Sequence, residues 1–181
     1  RWAYDLDELN HIAFIMRMRL VPLRNLGACI SPDNAWLFLQ GIETLPLRMQ
    51  KHSENALRVA EYLSAHSDIE WVRYPGLKED PSHTIAKKYL TNGYGGMVVF
   101  GIRGGKQAGE KFVDNLRLIS NVANVGDAKT LVIHPGSTTH SQLTEAEQEG
   151  GGVRPELIRL SVGLENGDDI IWDIEQALQA R

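Results

Sequence analysis

Residues 122–165 read VANVGDAKTLVIHPGSTTHSQLTEAEQEGGGVRPELIRLSVGLE, and the fold turns on this stretch. Two β-rich runs come first, at 121–125 and 130–134. A polar loop, a short helix and a triple-glycine hinge follow. A last strand, 157–162, then returns. It alternates, with Ile158, Leu160 and Val162 on one face and Leu157, Arg159 and Ser161 on the other. An arginine on a half-apolar strand suits a carboxylate or a phosphate, because guanidinium presents a planar fork of donors matching either anion. A solvent-facing arginine fits the same pattern, so the residues alone leave both readings open.

Outward from this stretch, helices and strands interleave. A helix is expected over 7–20, with Leu9, Ile12, Ala13, Met16 and Leu20 near a 3-4 spacing. Pro22 and Asn25-Leu26-Gly27 punctuate it. Ser31-Pro32-Asp33 opens a second helix as N-cap, first-position proline and first-turn acid. Trp36, Leu37, Phe38, Leu39 and Ile42 are apolar nearly all round it, which predicts burial or a subunit contact. Gly41 and Pro46 predict a break, after which 48–66 is amphipathic. A strand at 70–74, a helix capped by Ser82, and a strand at 97–102 follow. That last strand is so continuously apolar that cover on both faces is expected. A helix after Gly104-Gly105 and a final helix capped by Asp168, with Ile170, Ile174 and Leu178 inward, complete the series. The class is α/β: a mixed sheet of four or five strands with helices on one face.

The bulk properties exclude several function classes. A formal charge of -4 implies no basic face and no nucleic-acid partner. No apolar run approaches the ~20 residues a membrane span needs. Cys29, the single cysteine, permits no internal disulfide and fits a reducing cytoplasm. The absence of a signal-like segment and of a starting methionine gives the expectation that the chain begins inside a longer protein.

Gly126-Asp127-Ala128-Lys129-Thr130-Leu131-Val132-Ile133-His134-Pro135, followed by Ser137-Thr138-Thr139-His140-Ser141-Gln142-Leu143, resembles the pyridoxal-phosphate enzymes of cysteine and methionine metabolism. Arg24-Asn25-Leu26-Gly27-Ala28, Gly41 to Met49, Tyr74-Pro75-Gly76-Leu77 and Ile158 to Glu165 extend the likeness, in order, over nearly the whole chain from about Ile12. Within that family it is most similar to the O-acetylhomoserine sulfhydrylases, with cystathionine γ-synthases and methionine γ-lyases as alternatives. The resemblance implies the C-terminal domain of an aspartate-aminotransferase-type fold. Residues 1–30 would be the last helix of the cofactor domain and 31–181 the small domain. It implies pyridoxal phosphate as cofactor, an amino-acid substrate, a cytoplasmic enzyme and a homo-oligomer of dimers or tetramers.

By resemblance, Arg159 clamps the substrate α-carboxylate and Asn124 donates a further bond beside it. Neither is catalytic, and no catalytic residue is expected in this chain. The family's cofactor lysine stands in an S-x-T-K context that none of the seven lysines shares (51, 78, 87, 88, 106, 111 and 129). The chain alone is therefore expected to be inactive. Asn25 departs from the usual aspartate, and Gly150-Gly151-Gly152 from the usual alanines; the glycine run predicts a mobile loop before Arg159. A non-catalytic association module of the same fold is the competing reading. Among the remaining polar residues, Ser137-Thr138-Thr139-His140 reads as a loop whose hydroxyls cap backbone groups. Thr144-x-x-Glu147 is a capping box. His134 and His140 read as ordinary hydrogen-bonded histidines rather than metal ligands.

Overall fold

A computed structural model describes residues 12–180. The start of the expected first helix, including Asp7 and Leu9, lies outside the described residues. The chain divides after Glu43 into two compact units.

In the first unit, α1 (Ala13–Met18) passes into a π-helical turn, Arg19–Leu23, and then α2 (Arg24–Leu26). Pro22 does not end the helix. It has no N–H to donate, and the wider π turn around it absorbs that loss. The stop comes at Gly27, whose φ of 65° is left-handed. Ser31 accepts a bond from Asn34 N at 3.3 Å and opens α3 (Pro32–Glu43). On α3, Trp36, Leu37, Phe38, Leu39 and Ile42 are exposed.

The second unit begins with α4 (Leu45–Ala65), which carries Pro46 in its first turn. The helical run therefore breaks at Thr44, between the glycine and the proline that predicted it. The elements that follow are β1 (Ile69–Arg73), α5 (His83–Tyr89), β2 (Met97–Ile102) and α6 (Gly105–Asn115). Then come β3 (Ser120–Asn121), β4 (Leu131–Ile133), a 3-10 turn (Pro135–Ser137), α7 (Glu145–Gly150), β5 (Leu157–Ser161) and α8 (Gly167–Gln179).

The strands form one five-stranded sheet in the order β1-β2-β5-β4-β3. Only β3 and β4 run parallel, so the sheet is mixed. Val98, Phe100 and Ile102 of β2 and Ile158 and Leu160 of β5 point to one face and are fully buried there. Their cover is α4, α6 and α8, which contribute Val59, Leu63, Phe112, Ile170 and Ile174. Phe100 and Phe112 meet edge-on with centroids 5.9 Å apart.

The opposite face is more open. Met97 and Val99 of β2 are only half-buried, against the expectation of cover on both sides. Continuous apolarity had hidden the alternation that burial shows.

Several local readings are corrected. The run at 121–125 pairs only through Asn121, and 122–130 is a loop. Asn166, not Asp168, caps α8, accepting from Asp168 N at 3.1 Å. Ser82 makes no side-chain cap on α5. Its own N–H instead donates to buried Asp80, at 2.8 Å. The capping box at Thr144 and Glu147 is present in both directions. The three glycines end α7, and Gly152 takes a φ of 81° that a side chain would strain.

Asp80 also accepts from Arg73 Nε at 2.9 Å and Tyr74 N at 3.1 Å. Burial alone would raise its pKa, but these bonds outweigh it and hold the carboxyl below its ordinary value of 3.8. A depressed folded-state pKa stabilises above the unfolded value and is lost as pH falls through the folded one. Asp80→Asn is thus expected to cost about 1–3 kcal/mol at neutral pH. In urea melts from pH 7 to pH 2, the gap between variant and parent should narrow below about pH 4.

Candidate functional site

The site follows from the register of β5, the middle strand. Arg159 lies between Val99 of β2 and Ile133 of β4, on the open face of the sheet. Val99 and Ile133 are thus its cross-strand neighbours, apolar residues suited to covering a methylene stem. Arg159 is half-buried and has no hydrogen-bonding or ionic partner among the described residues. Other arginines here are engaged: Arg58 with Asp168 at 2.5 Å and Arg73 with Asp80 at 2.9 Å. Five N–H donors on a structured strand, left without an acceptor, are suited to an incoming anion.

Asn124 is exposed on the loop 122–130. Its Oδ1 accepts from Val125 N at 2.8 Å, which leaves the amide NH₂ without an acceptor among the described residues. Two residues on, Gly126 N donates to Ser161 Oγ at 3.1 Å. Ser161 is the same-face neighbour of Arg159 along β5, about 7 Å away in an extended strand. The loop carrying Asn124 is therefore tied to the strand carrying Arg159, through Ser161.

The loop after β4 is built from its own hydroxyls. Thr138 Oγ1 donates to His134 O at 2.8 Å, and Thr139 Oγ1 meets His140 Nδ1 at 2.9 Å. His134 is buried, with Nδ1 at 2.8 Å from Ser137 Oγ and Nε2 donating to Pro155 O at 2.8 Å. Both ring nitrogens are taken by the protein, so neither is offered to a metal. Gln148, which no sequence pattern singled out, pins this loop from α7: its Nε2 donates to His140 O at 2.8 Å and Gly136 O at 3.2 Å. Thr130 and Glu165 were missed as well. They bond to each other over a separation of 35 residues, and no local spacing signals that.

Pyridoxal phosphate needs an amine for covalent attachment and donors for its phosphate. None of the seven lysines is buried. The described residues offer donors for an anion but not the cofactor's own attachment.

A family model for the Cys/Met metabolism PLP-dependent enzymes matches residues 5–179. The chain is 58% identical over 170 residues to an O-acetyl-L-homoserine sulfhydrylase of Leptospira meyeri, covering 93% of this chain and 38% of that protein. It is 49% identical to a homocysteine synthase of Schizosaccharomyces pombe, covering 96% of this chain and 40% of that protein. The sequence thus spans about two fifths of the length of these relatives. A solved Campylobacter jejuni structure, described as an O-acetylhomoserine (thiol)-lyase with N'-pyridoxyl-lysine-5'-monophosphate, superposes with a TM-score of 0.83 at 45% identity. That match covers 91% of this chain and 39% of the other. The mixed sheet with helices on one face is accordingly the aspartate-aminotransferase-type architecture expected from the sequence. With the match running almost end to end, the chain belongs to the Cys/Met metabolism PLP-dependent enzyme family.

Proposed function

We propose that this chain is the substrate-carboxylate-holding, C-terminal part of a pyridoxal-phosphate enzyme that exchanges the γ-acyl group of an O-acylhomoserine for sulfide or a thiol. Residues 1–30 are then the last helix of the cofactor domain and 31–181 the small domain. The observation that carries the reading is that, among the described residues, the Arg159 guanidinium and the Asn124 amide NH₂ have no acceptor, with Asn124 on a loop tethered to the same strand. The activities that name the relatives, O-acetyl-L-homoserine sulfhydrylase and homocysteine synthase, supply the substrate class.

Arg159 receives the α-carboxylate in two parallel bonds, and Asn124 Nδ2 adds a third donor. When bound, the cofactor supplies the electron sink for bond breaking at the substrate's α- and β-carbons. The work of this chain is orientation. Two fixed points on the carboxylate restrict rotation of the substrate and present one Cα–H bond, a positioning effect. The compartment is the cytoplasm and the assembly a homo-oligomer, the tetramer being the specific expectation.

The exposed apolar residues of α3 favour a second reading, an association module without catalysis. One assay separates the two. The longer protein, loaded with pyridoxal phosphate, is expected to release acetate and form homocysteine from O-acetyl-L-homoserine and sulfide. The 181-residue chain alone is not. Absence of turnover by the loaded longer protein with both acetyl and succinyl esters would reject the enzymatic reading.

A further inference from the structure

We infer that Glu165 and Thr130 are positioning residues for the carboxylate site, closing a clasp that sets the Asn124 loop against the Arg159 strand. This rests on the function proposed above.

The β4–β5 ladder ends at the pair Leu131 and Ser161. Beyond it, nothing in the sheet holds the loop to the strand exit. The clasp takes over there. Glu165 Oε1 accepts from Thr130 N at 2.7 Å, and Oε2 accepts from Thr130 Oγ1 at 2.8 Å. Thr130 Oγ1 in turn accepts from Gly163 N at 2.8 Å, and Leu164 N donates to Ala128 O at 2.8 Å. Thr130 is fully buried, and its bond from Gly163 N is made out of water, while the two to Glu165 are part-buried.

The approach is close enough to exclude a side chain at position 163. A Cβ on Gly163 would lie 2.5 Å from Ala128 O and 2.4 Å from Glu165 Oε2. From the other side, α4 fixes the strand exit. Asn55 Nδ2 donates to Gly163 O at 3.0 Å and to Glu165 O at 2.8 Å, and His52 Nδ1 donates to Val162 O at 2.6 Å.

The loop is thus held at two places. The clasp fixes its end at Thr130, and the Gly126–Ser161 bond fixes it near Asn124. With the clasp open, the loop keeps its bond to Ser161 and the Val122 N to Val132 O bond at 3.2 Å, but the end at Thr130 is no longer fixed against the strand exit. Misplacing a substrate-positioning group by an ångström can cost on the order of a hundredfold in rate.

The test uses the longer, cofactor-loaded enzyme with O-acetyl-L-homoserine. In Glu165→Gln the amide nitrogen cannot accept from the Thr130 hydroxyl, and in Thr130→Val that hydroxyl is gone. Each is expected to raise the KM about tenfold, with the absorbance of bound cofactor unchanged. Thr130→Ser keeps the hydroxyl and should return the KM to within about twofold of the parent. Should either disruptive variant fail to fold, amide exchange on the parent decides the matter. Linkage requires that bound L-homoserine slow exchange at Thr130 and Gly163 if the clasp and the carboxylate site are coupled. Arg159→Gln is the control. If it raises the KM while the clasp variants do not, or if exchange at those amides is indifferent to L-homoserine, the clasp is only structural and this inference is overturned. If Arg159→Gln leaves the KM unchanged, the carboxylate reading itself fails and this inference falls with it.

Discussion

Replacing Arg159 with lysine is expected to raise the KM for the amino-acid substrate about 30- to 100-fold in the longer, cofactor-loaded enzyme. The reasoning is geometric. Lysine keeps the charge but turns a planar fork into a point, so two parallel charge-assisted bonds become one. Such a bond contributes roughly 1.5–3 kcal/mol, and about 1.4 kcal/mol is tenfold. The stem of Arg159 lies between Val99 and Ile133, so lysine's methylenes still find cover. The loss is therefore confined to recognition. Stability of the variant should match the parent within about 0.5 kcal/mol, because Arg159 has no partner within the described fold to lose. Steady-state kinetics and a urea melt on the same variant check both halves.

Asp173→Asn is expected to be among the most damaging single changes to the fold, at about 3 kcal/mol. Asp173 lies on the inward face of α8 with Ile170 and Ile174 and is fully buried. Its Oδ1 accepts from Arg117 N at 2.9 Å, and its Oδ2 accepts from Leu118 N and Ile119 N, each at 2.9 Å. Gln176 Nε2 adds a bond to Oδ1 at 3.0 Å. These are the N–H groups of the segment that turns from α6 into β3. Asparagine puts an NH₂ where an oxygen accepted, so donor faces donor inside the core. The midpoint of urea unfolding should drop with little change in slope. A loss below about 1 kcal/mol would mean that water replaces the carboxylate there.

Much of the architecture could be read along the chain because its causes are local. The alternation of Ile158, Arg159, Leu160 and Ser161 gave the central strand and the arginine's face. Thr144 and Glu147, three residues apart, gave a helix start. The 3-4 spacing of Ile170, Ile174 and Leu178 gave the inward face of α8. The errors have a different origin. Asp168 reads as the cap of α8 where Asn166 takes that role, because both are good cap residues and only backbone geometry separates them. Val122 to Val125 looked like a strand from its β-branched residues, yet Asn124 and Gly126 set the path of a loop.

The polar framework was out of reach for a further reason. Thr130 meets Glu165, Asp173 meets the 117–119 segment, and Asn55 meets Gly163 across separations that no periodicity encodes. A buried acid such as Asp173 or Asp80 looks, in the sequence, like any other surface carboxylate. The candidate site stands between these cases. The strand pattern presented Arg159, but family likeness rather than spacing selected it over a solvent-facing arginine, and the same likeness selected Asn124.

The central claim is that the guanidinium of Arg159 receives the substrate's α-carboxylate. A crystal structure of the longer protein with pyridoxal phosphate and a bound substrate analogue tests it most directly. The account predicts two N–H···O bonds of about 2.7–2.9 Å from Arg159 to the carboxylate, with Asn124 Nδ2 within hydrogen-bond reach. A carboxylate held elsewhere, with Arg159 still unpartnered on the open face of β5, would contradict it.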